Sequence, residues 1–146
     1  MKNLNTQYDL CPKIGDIYMM LFSGHGNEQT GWRPGLIFQN NKGNCFSPNV
    51  IALPITSSIK KKNIPTHVFL PSSKTGLLKD SLVLCENPER MSKNRIGKFI
   101  TRLPDEYMSM VAKASLISSG AISFLDQEEL LSAWKTSTHL NFGLQQ

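Results

Sequence analysis

Short runs of strand-favouring residues, separated by polar turns, make up roughly the first two thirds of this chain. Within the runs β-branched, aromatic and other apolar residues are frequent, and Gly, Pro, Asn and Asp lie between them. The pattern predicts five strands, at residues 14–22, 36–38, 50–56, 66–70 and 81–86. Short strands joined by short loops are typical of a small β-barrel.

Pro54 lies inside the third predicted strand, where it has no backbone N–H to donate to a sheet. We therefore expect that strand to lie at an edge, to carry a bulge or to break at Pro54. After the second predicted strand, the polar stretch 39–44 predicts a turn.

Helical spacing begins after Pro104. Pro104 and the two acidic residues that follow it favour a helix start, and residues 118–120 favour its end. Apolar and small residues recur between them at positions that share one helix face: Met108, Val111, Ala112, Ser115 and Leu116.

A second, shorter helix is predicted at residues 126–134, with Leu130, Leu131 and Trp134 on one side, followed by a polar tail. The expected fold is mainly β with helices. We divide the chain into an N-terminal arm (1–13), one barrel domain (14–120) and a C-terminal extension (121–146).

The composition is that of one ordinary globular domain. The chain has 146 residues, of which 40% are hydrophobic and 18% charged. The formal net charge is +5 and the pI is about 9.2, which favours polyanionic partners such as nucleic acid or an acidic protein segment. A protein that is basic only on average remains the alternative.

Cysteine usage and hydropathy indicate a cytoplasmic protein. Cys11, Cys45 and Cys85 are odd in number, widely spaced and without a CxxC pair, so we expect free thiols and neither a disulfide framework nor a metal site. No apolar stretch is long enough to span a bilayer, and the N-terminal residues have no apolar core of a signal peptide.

A polar, glycine-flanked loop at residues 26–34 carries the pattern G-x-E-Q-x-G-x-R-P. This pattern resembles the signature of the MazF/PemK toxin family. Further matches follow the family order: Gly15-Asp16-Ile17-Tyr18, Gln39-Asn40, Ser47-Pro48, Pro54-Ile55-Thr56, Pro65-Thr66-His67-Val68 and Asp80-Ser81.

The resemblance implies a small SH3-like β-barrel of the MazF/PemK/CcdB kind with a C-terminal helix. It also implies a sequence-selective endoribonuclease that cuts single-stranded RNA by 2′-OH attack without a metal or cofactor. Such proteins are the toxins of type II toxin–antitoxin pairs and work as homodimers. An acidic, disordered antitoxin is the implied protein partner, and a basic groove made for RNA would also attract such a peptide.

Three residues match catalytic positions of the family. Arg33 is suited to stabilise the charge on the phosphorane, because a guanidinium can hold two phosphate oxygens. The Thr56 hydroxyl can donate to a phosphate oxygen, and Glu86 can act as general base. The structural alternatives are a solvated or Glu28-paired arginine, a threonine that caps a turn, and a glutamate paired with Lys or Arg.

Other residues are candidates for RNA contact. Aromatic rings at Trp32 and Phe46 can stack on an unpaired base, although packing is the alternative role for both. The remaining predicted contacts are Asn27, Glu28 and Gln29 in the signature loop, Lys60 and Lys61 in a basic run, and Asn87 and Arg90. Lys62, Lys93, Arg95, Lys98 and Arg102 extend the basic run into a phosphate track or a solvated face.

The chain departs from the family pattern at two places. Asn27 occupies a position where some members have a catalytic histidine, and Glu89 one where arginine is usual, with Arg90 displaced by one. His25 is close enough to the loop to replace the missing acid, whereas His67 fits a structural role better. Two other functions stay open: a CcdB-like gyrase poison that binds a protein, and a catalytically weak RNA-binding module.

Overall fold

The computed structural model describes residues 10–24, 31–138 and 140. Its strands are β1 (Asp16–Phe22), β2 (Gly31–Ile37), β3 (Asn49–Thr56), β4 (His67–Leu70), β5 (Ser81–Leu84), β6 (Glu89–Ser92) and β7 (Ile96–Arg102). Its helices are α1 (Asn41–Phe46), α2 (Ser72–Thr75), α3 (Asp105–Ser119) and α4 (Gln127–Ser137), with 3₁₀ turns at Lys93–Arg95 and Ala121–Phe124.

The strands form one antiparallel sheet in the order β4-β5-β3-β2-β1-β7, with β6 beside β3. This confirms the mainly β fold with helices. The five predicted strands are present, and β6 and β7 were missed because most of their side chains are at least partly exposed and show no apolar alternation. Within the described residues the ladders do not join β4 to β7, so the barrel is not closed by backbone pairing.

Pro54 does not interrupt β3, and β3 lies inside the sheet with β2 along one side. The expectation of a break at Pro54 was therefore wrong, whereas Leu53 and Pro54 have no strand partner on the other side of β3, which agrees with a local edge. On the other side of β3 the partner changes from β6, last paired at Ala52, to β5, first paired at Ile55. Pro54 thus lies at the change of partner, which is where a missing backbone donor disturbs a sheet least.

Helix α3 packs on the sheet through Tyr107, Val111 and Ala114, which are buried in the larger of two hydrophobic clusters. It begins after Pro104, as predicted, and ends at Gly120, whose φ of 76° is the left-handed value that glycine adopts without strain. The second cluster lies between β1, β2, β3 and β6. The two clusters together fix the sheet that carries the candidate site.

Helices α1 and α4 lie at the periphery. Residues 39–44 were predicted as a turn, but Asn40 caps a short helix there through its side chain, which accepts from the Gly43 N–H at 2.8 Å. Helix α4 confirms the predicted second helix, capped by Asp126, and its Leu131 and Trp134 side chains remain exposed. No helix in the described part of the chain has the length and apolar character that crossing a bilayer requires.

The cysteines differ from expectation. Cys11 and Cys45 form a disulfide, and only Cys85 is a free thiol, buried in the larger cluster. The expectation of three free thiols failed because a separation of 34 positions gives no sign that the two residues meet in space. Lys93, predicted as part of the basic track, is also buried, and its Nζ donates to the Cys45 carbonyl oxygen at 3.2 Å.

Candidate active site

A cavity of about 660 Å³ is lined by residues of β1, β2, β3 and β7 and by the segment that leads into β5. Arg33 on β2 and Thr56 at the end of β3 both line it. Gly35 pairs with Pro54, and the same antiparallel register carried two residues further brings Arg33 level with Thr56. Two residues that are 23 positions apart in sequence are therefore brought to one surface by the β2–β3 ladder.

Arg33 is half-buried, and this burial lowers the pKa of its guanidinium below the ordinary value. A guanidinium remains charged at neutral pH even so. Partial removal from water strengthens the attraction between this charge and a phosphate. The environment of Arg33 thus suits an anion-binding role.

Thr56 is half-buried, and its Oγ1 accepts a hydrogen bond from the Ser58 N–H at 3.1 Å. This is the turn-capping role that we weighed as the structural alternative. The contact uses an acceptor site of the hydroxyl, so the O–H is still able to donate to an oxygen in the cavity. The two roles are compatible.

Trp32 supplies an aromatic surface next to Arg33. It is 55% exposed, and a Cβ atom placed on Gly97 would lie 3.0 Å from its Cζ3 atom. The ring therefore lies across β1 against the backbone of β7, in a space that only glycine leaves open. Phe46, in contrast, lies at the end of α1, is 76% exposed and does not line this cavity.

Several lining residues were not singled out from the sequence. Lys98 appeared only within the general basic run, and its neighbour Phe99 was missed. The other unpredicted side chains are Met19, Ser57, Leu77, Leu78, Lys79, Ser81 and Ile100. The described residues that line the cavity include Arg33, Lys79 and Lys98 and no Asp or Glu, so the charge that these residues contribute is positive.

Glu86 lies outside the residues that line the cavity. Its Oε1 is 2.6 Å from Nε2 of His67, and Nδ1 of His67 is 2.8 Å from the Lys61 carbonyl oxygen. The two ring nitrogens of His67 therefore bind the Lys61 carbonyl oxygen and the Glu86 carboxylate. Glu86 is thus paired with a histidine rather than the Lys or Arg of our structural alternative.

The segment after Glu86 is organised by backbone turns and by Glu89. Asn87 donates its N–H to the Leu84 carbonyl oxygen at 3.2 Å, and Arg90 is an exposed residue of β6. The Glu89 carboxylate accepts from the Ser23 hydroxyl at 2.8 Å and from its N–H at 3.3 Å. Ser23, Asn87, Glu89 and Arg90 do not line the cavity.

The predicted lysines lie on an exposed loop between β3 and β4. The backbone of Lys61 is held by His67, and the Lys62 ammonium lies 5.6 Å from the centre of the Phe69 ring. Lys60 is exposed and does not line the cavity. Asn27, Glu28, Gln29 and His25 lie outside the described residues.

The remaining predicted cations divide between structural and exposed positions. Arg102 donates through Nε to the Asp16 carboxylate at 3.0 Å, and its NH2 nitrogen is 2.9 Å from the same oxygen. Of the extended basic run, only Lys98 reaches the cavity. No cluster of three or more potential metal-binding His, Cys, Asp or Glu side chains occurs in the part of the chain that the structure describes.

Comparison with known proteins gives consistent matches. Residues 13–118 match the family described as PemK-like, MazF-like toxin of type II toxin–antitoxin system. Endoribonuclease EndoA of Bacillus subtilis is 42% identical over 77% of this chain and 97% of its own length. Endoribonuclease MazF of Staphylococcus saprophyticus is 45% identical over 73% of this chain and 89% of its own length.

Solved structures show the same fold. MazF from Deinococcus radiodurans superposes with a TM-score of 0.66 at 24% identity, over 77% of this chain and 99% of that one. A mycobacterial endoribonuclease in complex with its cognate antitoxin gives a TM-score of 0.63 at 26% identity, over 75% of this chain and 95% of that one.

Fold and cavity together define a small, basic, antiparallel β protein with an arginine and a threonine in one surface cavity. The chain belongs to the PemK-like, MazF-like family of type II toxin–antitoxin toxins. The family match ends at residue 118, so α4 lies outside it.

Proposed function

We propose that this protein is an endoribonuclease that cuts single-stranded RNA and serves as the toxin of a type II toxin–antitoxin pair. The observation that carries the proposal is that Arg33 and Thr56 line one positively charged cavity. Two relatives more than 40% identical are named endoribonucleases, which supports the same assignment.

The proposed reaction needs no group beyond the protein and the RNA. The 2′-oxygen attacks the adjacent phosphorus, and the bond from phosphorus to the 5′-oxygen of the next nucleotide breaks. A general base takes the 2′-hydroxyl proton, and the leaving 5′-oxygen receives a proton. The products are a 2′,3′-cyclic phosphate and a 5′-hydroxyl end.

Arg33 and Thr56 have distinct roles in this scheme. Arg33 stabilises the negative charge that builds up on the phosphorane oxygens, an effect that is strongest in a partly desolvated site. The Thr56 hydroxyl donates to a non-bridging phosphate oxygen. The resemblance implies Glu86 as general base, whereas its described contact with His67 favours a positioning role.

Trp32 explains why the substrate should be single-stranded. One side of its ring is covered by β7, and 55% of the residue remains exposed beside Arg33. A base can stack on such a ring only when it is unpaired, because a duplex buries the base faces.

We extend the proposal to partners and location. The positive cavity is suited to an acidic antitoxin segment as well as to RNA. A related mycobacterial endoribonuclease is described in complex with its cognate antitoxin, and MazF of Deinococcus radiodurans with MazE. We propose a cognate antitoxin, a homodimer and action in the cytoplasm, where the RNA is.

The test is to incubate a long unstructured RNA in EDTA with the wild type, Arg33→Ala and Arg95→Ala. We expect site-selective cuts with 2′,3′-cyclic phosphate and 5′-hydroxyl ends from the wild type and from the Arg95 control. Arg33→Ala should cut at least about 100-fold more slowly. Absence of cutting by the folded wild type would refute the proposal, and topoisomerase binding would then be the next measurement.

A further inference from the structure

Strand β7 carries two irregularities where it pairs with β1. Ile17 pairs with Thr101, Tyr18 with Phe99, and Met20 with Ile96. One step along β1 therefore spans two residues of β7, and the next two steps span three. Each of the two irregularities inserts one extra residue into β7, as a β-bulge does.

The irregular part of β7 borders the cavity. Lys98 lies in the second irregular span, between Ile96 and Phe99. Lys98, Phe99 and Ile100 all line the cavity that Arg33 also lines. Bulges are frequent next to active sites, and this one lies beside the candidate site.

The surroundings of Lys98 are arranged by contacts on both sides. The Phe99 ring packs edge-on against Tyr18, with ring centres 5.4 Å apart. The preceding Gly97 accepts the Trp32 ring against its backbone. Lys98 itself is exposed between these two anchored aromatic residues.

Lys98 and Arg33 reach the cavity from strands that are not neighbours. Strand β1 lies between β2 and β7, and two strand spacings place their backbones about 10 Å apart. The described lining residues include no Asp or Glu, and they carry positive charge at Arg33, Lys79 and Lys98. An RNA strand presents a phosphate at every nucleotide and matches such a spread of charge.

We propose that Lys98 binds the RNA phosphate next to the scissile one and so sets how the strand lies across Trp32 and Arg33. The inference rests on the proposed ribonuclease function. It adds a phosphate-binding residue in the irregularly paired part of β7. Lys98 holds the strand in place, while the reacting phosphate is at Arg33.

The experiment uses a short RNA that contains one mapped cleavage site, with a 2′-deoxy nucleotide at that site to prevent cutting. Single phosphates are replaced in turn by neutral methylphosphonates, and binding is measured for wild type, Lys98→Met and Lys98→Arg. We expect Lys98→Met to bind about five- to tenfold more weakly, and its salt slope to fall by about 0.7. Lys98→Arg should restore both.

The neutral linkages locate the contact. At the phosphate next to the scissile one, the replacement should weaken wild type about five- to tenfold and leave Lys98→Met unchanged. Lys113→Met, which removes an exposed lysine on α3 that lines a different groove, is the matched control and should bind like wild type.

Two results would overturn the inference. The first is that Lys98→Met keeps the wild-type salt slope. The second is that it loses affinity equally with every substituted RNA, which is the behaviour of a general structural defect. In either case cutting of the unmodified RNA by wild type and its loss in Arg33→Ala would leave the ribonuclease proposal standing. If wild type neither binds nor cuts RNA, both proposals fail together.

Discussion

Nε2 of His67 lies 2.6 Å from Oε1 of Glu86, and this pair links the segment after β5 to the exposed loop between β3 and β4 that contains Lys61. The other ring nitrogen of His67 binds the Lys61 carbonyl oxygen. The His67 N–H also donates to the Ile64 carbonyl oxygen. The histidine therefore fixes the loop that begins just after Thr56, whereas Glu86 acts on that loop through the histidine.

Glu86→Gln tests this positioning role against direct catalysis. The amide still offers an oxygen but cannot share a proton with Nε2 as a carboxylate does, so we expect the free energy of unfolding to fall by about 1 kcal/mol. RNA cutting at saturating substrate should stay within about fivefold of wild type, because Glu86 does not line the cavity. His67→Gln removes the other member of the pair and should give a similar loss of unfolding free energy and a similarly small change in RNA cutting. A loss of about 100-fold in kcat confined to Glu86→Gln would instead establish the general base.

Two variants of Thr56 separate the contact of its hydroxyl with phosphate from the hydrogen bond that it accepts from the Ser58 N–H. Thr56→Val should lower kcat by about 10-fold or more, because it removes the hydroxyl that donates to phosphate, and it also removes the acceptor for the Ser58 N–H. Thr56→Ser retains the hydroxyl and should keep most of the activity. Single-turnover cleavage and thermal unfolding, measured on both variants, distinguish the effects. Equal activity of the two variants would exclude a hydroxyl contact with substrate.

Gly35 is expected to be intolerant of a side chain. A Cβ atom there would lie 2.5 Å from Met20 Sδ and 2.9 Å from Phe22 Cζ, and both side chains are buried. We expect Gly35→Ala to lower the free energy of unfolding by about 1–3 kcal/mol through overpacking. Denaturant unfolding gives the value, and Gly120→Ala is the control.

The Gly120 control isolates backbone strain. Nothing lies within 4 Å of a Cβ at Gly120, but its φ of +76° is strained for alanine. Its cost should be about 1 kcal/mol. A Gly35→Ala variant as stable as wild type would show that the sheet moves to accept the methyl group.

The disulfide between Cys11 and Cys45 should be measurable as stability. The two residues are 34 positions apart, and closing a loop of that length is worth up to about 4 kcal/mol in the unfolded chain. Reduction, or Cys11→Ser, should lower the unfolding temperature, and thiol titration of the denatured protein should rise from one group to three on reduction. Three reactive thiols without reductant would show that the bond does not form.

Cys85 gives a dependence of stability on pH. Burial raises the pKa of its thiol from the ordinary 9.0 to about 11. Between these values the folded chain keeps a proton that the unfolded chain has lost, so the free energy of unfolding falls as pH rises from 9.0 toward about 11. The loss is at most about 2.7 kcal/mol.

Cys85→Ala is the control for that measurement. It lacks the thiol and should show a shallower decline over the same pH interval. Tyr18, whose pKa burial raises to about 12, adds to the decline, and Lys93, whose pKa burial lowers, opposes it. Urea unfolding of both proteins at several pH values provides the comparison. Parallel curves would mean that the Cys85 thiolate is tolerated in the fold.

Local patterns in the sequence determined the features that depend on neighbouring residues. Alternating apolar runs predicted the central strands, helical spacing predicted α3 and α4, and the signature loop pointed to Arg33. These features can be predicted because strand and helix periods place nearby side chains on known faces. Family likeness then linked Thr56 to the same site.

The tertiary structure alone decided which distant residues meet. Arg33, Thr56 and Lys98, which come from three different strands, line one cavity, and Glu86 is held by His67 instead. Cys11 and Cys45 likewise meet only in the fold. Strand order, bulges and long-range pairing follow from the packing of the whole sheet, and a local hydrophobic period contains no information about them.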